Sequence, residues 1–248
     1  AFEISGPSIL ASFYDPVQVY SLPYAFDNPE QAYAYFASEG SQKMYNDTIL
    51  NASGVRTLDV WYYGKRNLTI NGLEPKTPAD LAGQSVRCMD TPVAKTVVAS
   101  LGANPVPINM NELYLSLQTG VVVGEENPIP TVIAQKFFEV QDTIVLTEHS
   151  VHLGTVHVSE QIWNEMTEEE RQAVTEVLEK YRPIIEERIY KEEEEGLATL
   201  QENGMKVVEP ELEAFKENAK KVVEETFGGD ADWAAQIKDL EDFKANWK

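Results

Sequence analysis

Short apolar segments with strand-like and helix-like spacing alternate along the first two thirds of the chain. Val55 to Tyr63 is rich in β-branched and aromatic residues, which predicts a strand, and Leu68 to Asn71 predicts a second strand after a turn at Gly64. Further strands are predicted at 85–88, 105–108, 121–124, 142–146 and 152–158. Helices are predicted between them at 77–81, 91–101, 111–119 and 130–139. This alternation predicts an α/β fold in which helices cover a parallel or mixed sheet.

The two ends of the chain carry different patterns. Residues 1–36 mix turn residues with aromatics, which indicates loops around an aromatic cluster. Asn28 and Pro29 have the order of a polar cap followed by Pro in the first turn, which predicts a helix running to about Leu50.

From Ser159 onward the pattern becomes helical. Thr167 and Glu170 have the spacing of a capping box, and an apolar stripe continues from there towards Gly204. Pro183 should kink this long helix, because it removes a backbone donor and crowds the preceding turn. A strand at 205–208 and helices at 210–226 and 231–248 complete the prediction.

Composition then narrows the function. The chain has 248 residues, enough for one large or two small domains, and a formal net charge of −21. Such a surface repels nucleic acid, so we expect no nucleic-acid partner, and any site for an anion must be a local positive island. No apolar run reaches the roughly 18–20 residues of a membrane span. The first residues have no basic end followed by an apolar stretch, so we expect no signal peptide in them.

Groups that could support catalysis or bind a metal are few. His149, His152 and His157 lie close together, but no Cys, and no Glu at the required spacing, completes a metal set. We therefore expect hydrogen-bonded structural histidines, no metal and no cofactor. Cys88 is the one cysteine and is expected to be a small buried residue. No nucleophile motif or phosphate-binding loop occurs.

Two arginines stand apart from the lysines and arginines on the acidic helices. Arg87 lies in a predicted strand beside a turn, and Arg66 follows a strand at Gly64. In α/β sheets ligands bind beyond the carboxyl ends of strands, and the planar guanidinium grips both oxygens of a carboxylate. The same two residues could instead form internal salt bridges with the many acidic side chains, and both interpretations remain open at this point.

A series of motifs around these residues resembles the substrate-binding proteins of TRAP transporters, the DctP-type family. The motifs occur in the order and spacing of that family across nearly the whole chain: LPYAF (22–26), GKRNLT (64–69), PADLAGQSVR (78–87), LGANPVP (101–107), ELY (112–114), LQTGVV (117–122), GEENP (124–128), KFFEVQ (136–141) and LTEH (146–149).

The resemblance implies roles for particular residues. It implies that Arg87 forms a two-pronged salt bridge with a ligand carboxylate, that Arg66 assists, and that Asn127 donates a hydrogen bond to the same group. Asp90 and Met110 fall at variable pocket positions, and Met110 stands where an aromatic ring is common. Tyr63 is a further pocket candidate.

The resemblance also implies an architecture, a two-lobed periplasmic binding protein of type II-like form. We expect residues 1–63 and 153–192 in lobe I, which is partial, and 64–152 and 193–248 in lobe II, with the long kinked helix bridging the lobes. The N-terminal β-α-β-α portion typical of the family is expected to be missing from this sequence.

The implied function is extracytoplasmic and non-enzymatic. The protein would capture a small organic carboxylate in the periplasm and deliver it to the TRAP membrane subunits, acting as a monomer. Two alternatives remain open: a periplasmic module that presents its ligand to a sensor kinase, and an enzyme that processes carboxylates.

Overall fold

Seven strands form the centre of the structure, a computed structural model that describes residues 2–247. Their bounds are β1 Phe2–Ser5, β2 Val55–Ile70, β3 Ser85–Cys88, β4 Asn104–Pro107, β5 Gly124–Pro128, β6 Thr143–Ser159 and β7 Lys206–Val208.

Within the described part of the chain, ten α-helices surround these strands. Their bounds are α1 Pro29–Phe36, α2 Glu39–Lys43, α3 Leu50–Ser53, α4 Pro92–Ser100, α5 Met110–Gln118, α6 Ile129–Ala134, α7 Glu160–Glu165, α8 Glu168–Glu202, α9 Leu212–Phe227 and α10 Ala231–Asn246. A π-helical segment, Met44–Ile49, joins α2 to α3, and 3-10 helices occupy Pro7–Leu10, Asp15–Ser21, Pro78–Leu81 and Phe137–Glu139.

The strands form one mixed sheet in the order β1-β6-β2-β5-β3-β4, with β7 also paired to β6. β3 runs parallel to β4 and β5, whereas β2 is antiparallel to both β5 and β6. One edge of β6 pairs with β1 at Thr155–Val158 and with β7 at Thr143–Val145. The predicted mixed sheet covered by helices is confirmed.

β2 and β6 are single long strands, so the prediction of two separate strands in each region was wrong. Gly64 adopts φ 109° and the register with β6 shifts between Tyr62 and Lys65, yet β2 continues to Ile70. A local irregularity replaces the predicted turn, because β5 and β6 supply hydrogen-bonding partners on both sides of the continuing strand. These partners are remote in sequence and leave no signal in the local pattern.

The predicted strand over 121–124 was also misplaced. Val121 is 62% exposed, and the strand runs instead over the polar residues Gly124–Pro128. Polar side chains are stable in a buried strand only when each has a partner, and partners cannot be read from local hydrophobicity.

The first predicted helix is broken into segments. α1 ends at Phe36, and Ser38 begins α2 by accepting a hydrogen bond from the amide of Ser41. Asn28 caps α1 as predicted, and Gly54 ends α3 with φ 66°.

Helix α8 is the longest element, at 35 residues. Thr167 and Glu170 form the predicted capping box, and Pro183 lies inside the helix. The kink at Pro183 stays a prediction. Ile189 packs against one apolar core and Leu200 is buried in another, so α8 contacts both.

The apolar interior is divided into three cores. The first core combines the N-terminal third with parts of β2, β6 and the last two helices, and includes Val19, Tyr35, Tyr62, Leu153 and Trp233. The second core includes Leu68, Leu81, Val86, Val145 and Phe215. The third core includes Leu113, Val132, Phe137, Ile144 and Leu200. Neighbouring Ile144 and Val145 enter different cores because successive side chains of a strand point to opposite faces.

The predicted lobe boundaries lie inside the two long strands. The boundary at 63/64 in β2 coincides with the register shift, and the boundary at 152/153 lies in β6. Trp233 and Leu240 of α10, which were assigned to lobe II, are buried in the first core. The boundaries themselves stay a prediction.

Candidate ligand site at the carboxyl ends of the strands

Arg87 lies near the carboxyl end of β3. Because β3, β4 and β5 are parallel, their carboxyl ends meet at one edge of the sheet, where the sequence predicted a site. Arg87 is 3% exposed, and its Nε donates a hydrogen bond to the carbonyl oxygen of Ile108 at 2.8 Å. Within residues 2–247 no carboxylate oxygen lies within 4.0 Å of its guanidinium nitrogens. Burial lowers the pKa of Arg87, and the nearby Glu126 opposes that shift.

Arg66 is also buried, but its hydrogen-bonding capacity is largely used within the protein. Its Nε and Nη2 both donate to the carboxylate of Glu126, and Nη2 also donates to the Asn127 Oδ1 at 3.0 Å. Burial alone would lower the pKa of Arg66, but the Glu126 carboxylate outweighs burial and raises it. Of the two interpretations left open by the sequence, Arg66 therefore fits the internal salt bridge.

Glu126 connects Arg66 to His149. The Nε2 of His149 lies 3.1 Å from the Glu126 Oε2, and its Nδ1 lies 2.8 Å from the Thr147 hydroxyl. Burial opposes the ionisation of Glu126, yet Arg66 and His149 lower its pKa to about 2. Burial lowers the pKa of His149, and the contact with Glu126 opposes that shift. His149 is thus a hydrogen-bonded structural histidine, as predicted.

Asn127 lies between two charged groups. Its Oδ1 accepts from Arg66, and its Nδ2 donates to the Glu125 Oε2 at 2.5 Å. Glu125 is fully buried and also accepts from the Thr69 hydroxyl at 2.8 Å. Burial raises the pKa of Glu125 to about 7, and the hydrogen bonds from Asn127 and Thr69 limit the rise.

Glu125, Glu126 and His149 were not predicted as site residues. The sequence signal for Glu125 and Glu126 was a pair of adjacent acidic residues between Gly124 and Pro128. They lie in the GEENP motif, which indicated the family but not the role of these two carboxylates. Sequence spacing alone could not show that both carboxylates are buried and have partners. Arg66, the partner of Glu126, lies 60 positions away along the chain.

The remaining predicted residues lie further from this network. Asp90 follows β3, its side chain is 76% exposed, and it forms a salt bridge with Lys95 at 2.6 Å. Met110 begins α5 and packs at the border of the third core. Tyr63 is 54% exposed, and its ring stands edge-on to His152 with centroids 6.0 Å apart. Arg66 and Asn127 are thus in direct contact, and Arg87 lies close enough to Arg66 for their charges to interact.

A cavity of about 60 Å³ opens beside Arg66. Its wall joins the N-terminal segment to the sheet and to the start of α4, through Arg66, Glu126, His152, Gln18, Ser8 and Thr91. A space of this size is too small for a six-carbon acid, because ligand pockets usually measure roughly 300–1,000 Å³. A sugar acid at this position would therefore need the cavity to widen.

Chemically, the site offers the Arg87 guanidinium, which has no carboxylate partner among the described residues, together with hydrogen-bond donors. Such a set can hold a carboxylate through two parallel N–H···O bonds. Among residues 2–247 no three His, Cys, Asp or Glu side chains are placed to bind a metal ion. No helix within the same range combines the length and apolar character needed to cross a bilayer.

The fold, a mixed sheet covered by helices, is that of a family of bacterial solute-binding proteins. The family model described as "Bacterial extracellular solute-binding protein, family 7" (DctP) matches residues 1–230, and the chain belongs to this family. The resemblance found in the sequence is confirmed.

Several curated proteins are similar to the chain. It is 30% identical over 196 residues to the sialic acid-binding periplasmic protein of Vibrio cholerae, covering 77% of this chain and 59% of that protein. It is 26% identical over 206 residues to the 2,3-diketo-L-gulonate-binding periplasmic protein of Escherichia coli, covering 83% of this chain and 62% of that protein. The chain therefore spans about three fifths of the length of these relatives.

Solved structures give the same architecture. A TRAP periplasmic solute-binding protein from Roseobacter denitrificans, with bound 3-deoxy-D-manno-oct-2-ulosonic acid, superimposes with a TM-score of 0.89 at 29% identity. The match covers 98% of this chain and 80% of that one. The apo open structure of a TRAP periplasmic solute-binding protein from Escherichia fergusonii has a TM-score of 0.88 at 25% identity and covers 98% of this chain and 80% of that one. The predicted α/β fold of the two-lobed binding proteins is confirmed.

Proposed function

We propose that this chain binds a small organic carboxylate in the periplasm and delivers it to the membrane subunits of a TRAP transporter. The single observation that carries the proposal is the state of Arg87. A buried guanidinium without a carboxylate partner among the described residues is costly unless a ligand supplies the anion. The terminal nitrogens of Arg87 are the donors that would engage the ligand.

The other predicted residues have supporting roles in this proposal. Asn127 has one amide N–H held by Glu125 and a second available to the ligand carboxylate. Arg66 fixes the carbonyl end of Asn127 and adds positive potential. Asp90, Met110 and Tyr63 are proposed to contact the part of the ligand beyond its carboxylate.

The named ligands of the relatives support the chemical class. They include sialic acid, 2,3-diketo-L-gulonate and 3-deoxy-D-manno-oct-2-ulosonic acid, each of which carries a carboxylate and several oxygen substituents. Because these relatives are solute-binding proteins, they favour transport over catalysis for this chain. We infer that the protein acts as a monomer and that ligand binding favours a closed arrangement of its lobes.

A binding screen with one variant tests this function. The panel consists of sialic acid, 2,3-diketo-L-gulonate, 3-deoxy-D-manno-oct-2-ulosonic acid and C4-dicarboxylates, assayed first by thermal shift and then by calorimetry. We expect at least one acid to bind and Arg87→Ala to weaken its binding by about a hundredfold or more, since about 2.7 kcal/mol or more of a buried ion pair is lost.

Lys221→Ala is the matched control for this variant. It also removes one positive charge, but the Lys221 side chain is 71% exposed and bridges Glu225 on the surface. Affinity should be unchanged in this control. Equal affinity in wild type and Arg87→Ala would exclude Arg87 as the carboxylate-binding residue, and chemical change of a bound acid, seen by mass spectrometry, would favour an enzyme.

A further inference from the structure

Glu125 is a fully buried carboxylate with two direct partners. Its Oε1 accepts from the Thr69 hydroxyl at 2.8 Å, and its Oε2 accepts from the Asn127 Nδ2 at 2.5 Å. The Thr69 hydroxyl also lies 3.3 Å from the Gln141 Oε1. Both oxygens of Glu125 are therefore used to hold neighbouring side chains.

The orientation of the Asn127 amide follows from these contacts. Its oxygen faces the Nη2 donor of Arg66 at 3.0 Å, and its nitrogen faces the acceptor Oε2 of Glu125. A flipped amide would place its oxygen against the Glu125 carboxylate and its N–H groups against the Arg66 donors. Both contacts would be repulsive, so Arg66 and Glu125 together select one orientation.

The charged groups around Glu125 come from three strands. Arg66 faces it from β2, Arg87 lies within range on β3, and Glu126 is its neighbour on β5. Thr69 of β2, which contacts Glu125 directly, is uncharged, and so is Gln141, which lies beyond Thr69 in the segment before β6. His149 of β6 contacts Glu126. With Glu126 ionised, the four groups Arg66, Arg87, Glu125 and Glu126 together carry one net positive charge when Glu125 is protonated. They carry no net charge when Glu125 is ionised.

We propose that Glu125 is a positioning residue of the carboxylate site, which orients Asn127 and takes up a proton when an anion binds. The inference rests on the function proposed above. It makes Glu125 the residue through which pH regulates ligand binding at this site. An anion beside Arg87 disfavours a second negative charge on Glu125, so binding and protonation reinforce each other. By the same linkage, affinity declines as pH rises past the point where the free protein loses this proton.

A ligand-free NMR titration tests the protonation directly. The side-chain amide resonances of Asn127, assigned by their loss in Asn127→Ser, are followed from pH 3.5 to 9 in wild type and Glu125→Gln. We expect them to shift with a midpoint near 7 in wild type, because burial raises the pKa of Glu125 to about 7, and to remain constant in the variant. Glu217→Gln, at an exposed carboxylate, should behave as wild type. A wild-type midpoint below about 5, near the ordinary value for Glu, would overturn the proposal even if Glu125→Gln fails to fold.

A calorimetric titration tests the link to binding, with 3-deoxy-D-manno-oct-2-ulosonic acid as the probe. In buffers of different ionisation enthalpy at pH 7, we expect uptake of about half a proton per bound acid, absent in Glu125→Gln. Above pH 7 the wild-type affinity should fall by up to about tenfold per pH unit, and that of the variant should stay level.

The outcomes separate the two proposals. Binding without proton uptake and without pH dependence would overturn the role of Glu125 and leave the proposed function intact. Failure of this acid to bind would remove it from the proposed ligands, and the amide titration would still decide whether Glu125 titrates and holds Asn127.

Discussion

Arg66 and Arg87 show how surroundings decide what a buried charge does. Both are almost fully excluded from solvent, but among residues 2–247 Arg66 meets Glu126 and Asn127, whereas Arg87 donates to the backbone carbonyl of Ile108. A buried ion pair that loses one member leaves the other uncompensated, and this costs far more than the loss of one hydrogen bond to a neutral acceptor. We therefore assign Arg66 mainly to the stability of the site and Arg87 to its ligand.

This difference predicts that Arg66 contributes more than Arg87 to stability and that Arg87 contributes more than Arg66 to ligand binding. Arg66→Ala should lower the free energy of unfolding by about 3–5 kcal/mol, because Glu126 and its hydrogen bonds lose their charged partner. Arg87→Ala should lower it by about 1 kcal/mol at most, the value of one hydrogen bond, because it also removes a buried charge that has no anionic partner without ligand. Urea denaturation at pH 7.5 without added acid measures both values.

A double variant provides the control for this comparison. Arg66→Ala combined with Glu126→Gln removes the uncompensated charge, so it should recover part of the loss seen in Arg66→Ala. Equal losses in Arg66→Ala and Arg87→Ala would show that Arg87 has a stabilising partner in solution, and its assignment to the ligand would then be wrong.

Among the elements, β2, β6 and α8 connect the parts of the molecule. β2 places Tyr62 in the first core and Leu68 in the second, and β6 does the same with Leu153 and Val145. The Glu193 carboxylate of α8 accepts from the backbone N–H of Lys65 at 2.6 Å, beside the register shift in β2. The helix is therefore tied to the strand at its most irregular point.

The packing of α8 on α6 depends on Gly196. A β-carbon at this position would lie 2.6 Å from the Cγ2 of Ile129 and 2.9 Å from the Cδ1 of Ile133. Gly→Ala in an exposed helix would be stabilising by about 1 kcal/mol. Here we expect Gly196→Ala to destabilise the protein by about 1–3 kcal/mol, because the stiff isoleucines must be displaced.

Thermal or urea denaturation of Gly196→Ala measures this effect, with Glu194→Ala as the control. Glu194 is exposed on the same helix, so its replacement should change the stability by less than about 0.5 kcal/mol. A stabilised Gly196→Ala would mean that α8 lies further from α6 than the structure places it.

For the whole molecule, the net charge of −21 and the positive site act at different distances. Surface charges are screened beyond about 10 Å at 0.1 M salt, whereas the buried arginines act on a ligand only at close range. An approaching anion is therefore repelled by the molecule before it is attracted by the site.

Salt should consequently accelerate ligand capture. We expect the association rate constant of 3-deoxy-D-manno-oct-2-ulosonic acid to rise when sodium chloride is raised from about 0.01 to 0.15 M, because screening weakens the long-range repulsion. Stopped-flow fluorescence of the four tryptophans measures the rate, with sucrose of matched osmolarity as the control. A rate that falls with salt would show that a positive surface steers the ligand inwards.

Many local features of this fold were predictable because their causes are local. Asn28 caps α1 and Thr167 caps α8 at the predicted positions, and Gly102, with φ 95°, follows the end of α4. Each of these features depends on a few adjacent residues. The edge position of Arg87 was predictable for a related reason, since a short strand followed by a turn places its last residues at the carboxyl end of the sheet.

The sequence by itself therefore determined the α/β class, most of the element positions, the family and the candidate arginines. Only the tertiary structure decided that β2 continues through Gly64, that the strand at 124–128 is polar and buried, and that Glu126 neutralises Arg66 and not Arg87. The physical reason is that the pairing of β2 with β5 and β6 and the charge compensation of Arg66 join residues 54 or more positions apart. Such energies depend on which groups meet after folding, whereas a cap or a periodic pattern depends only on neighbours along the chain.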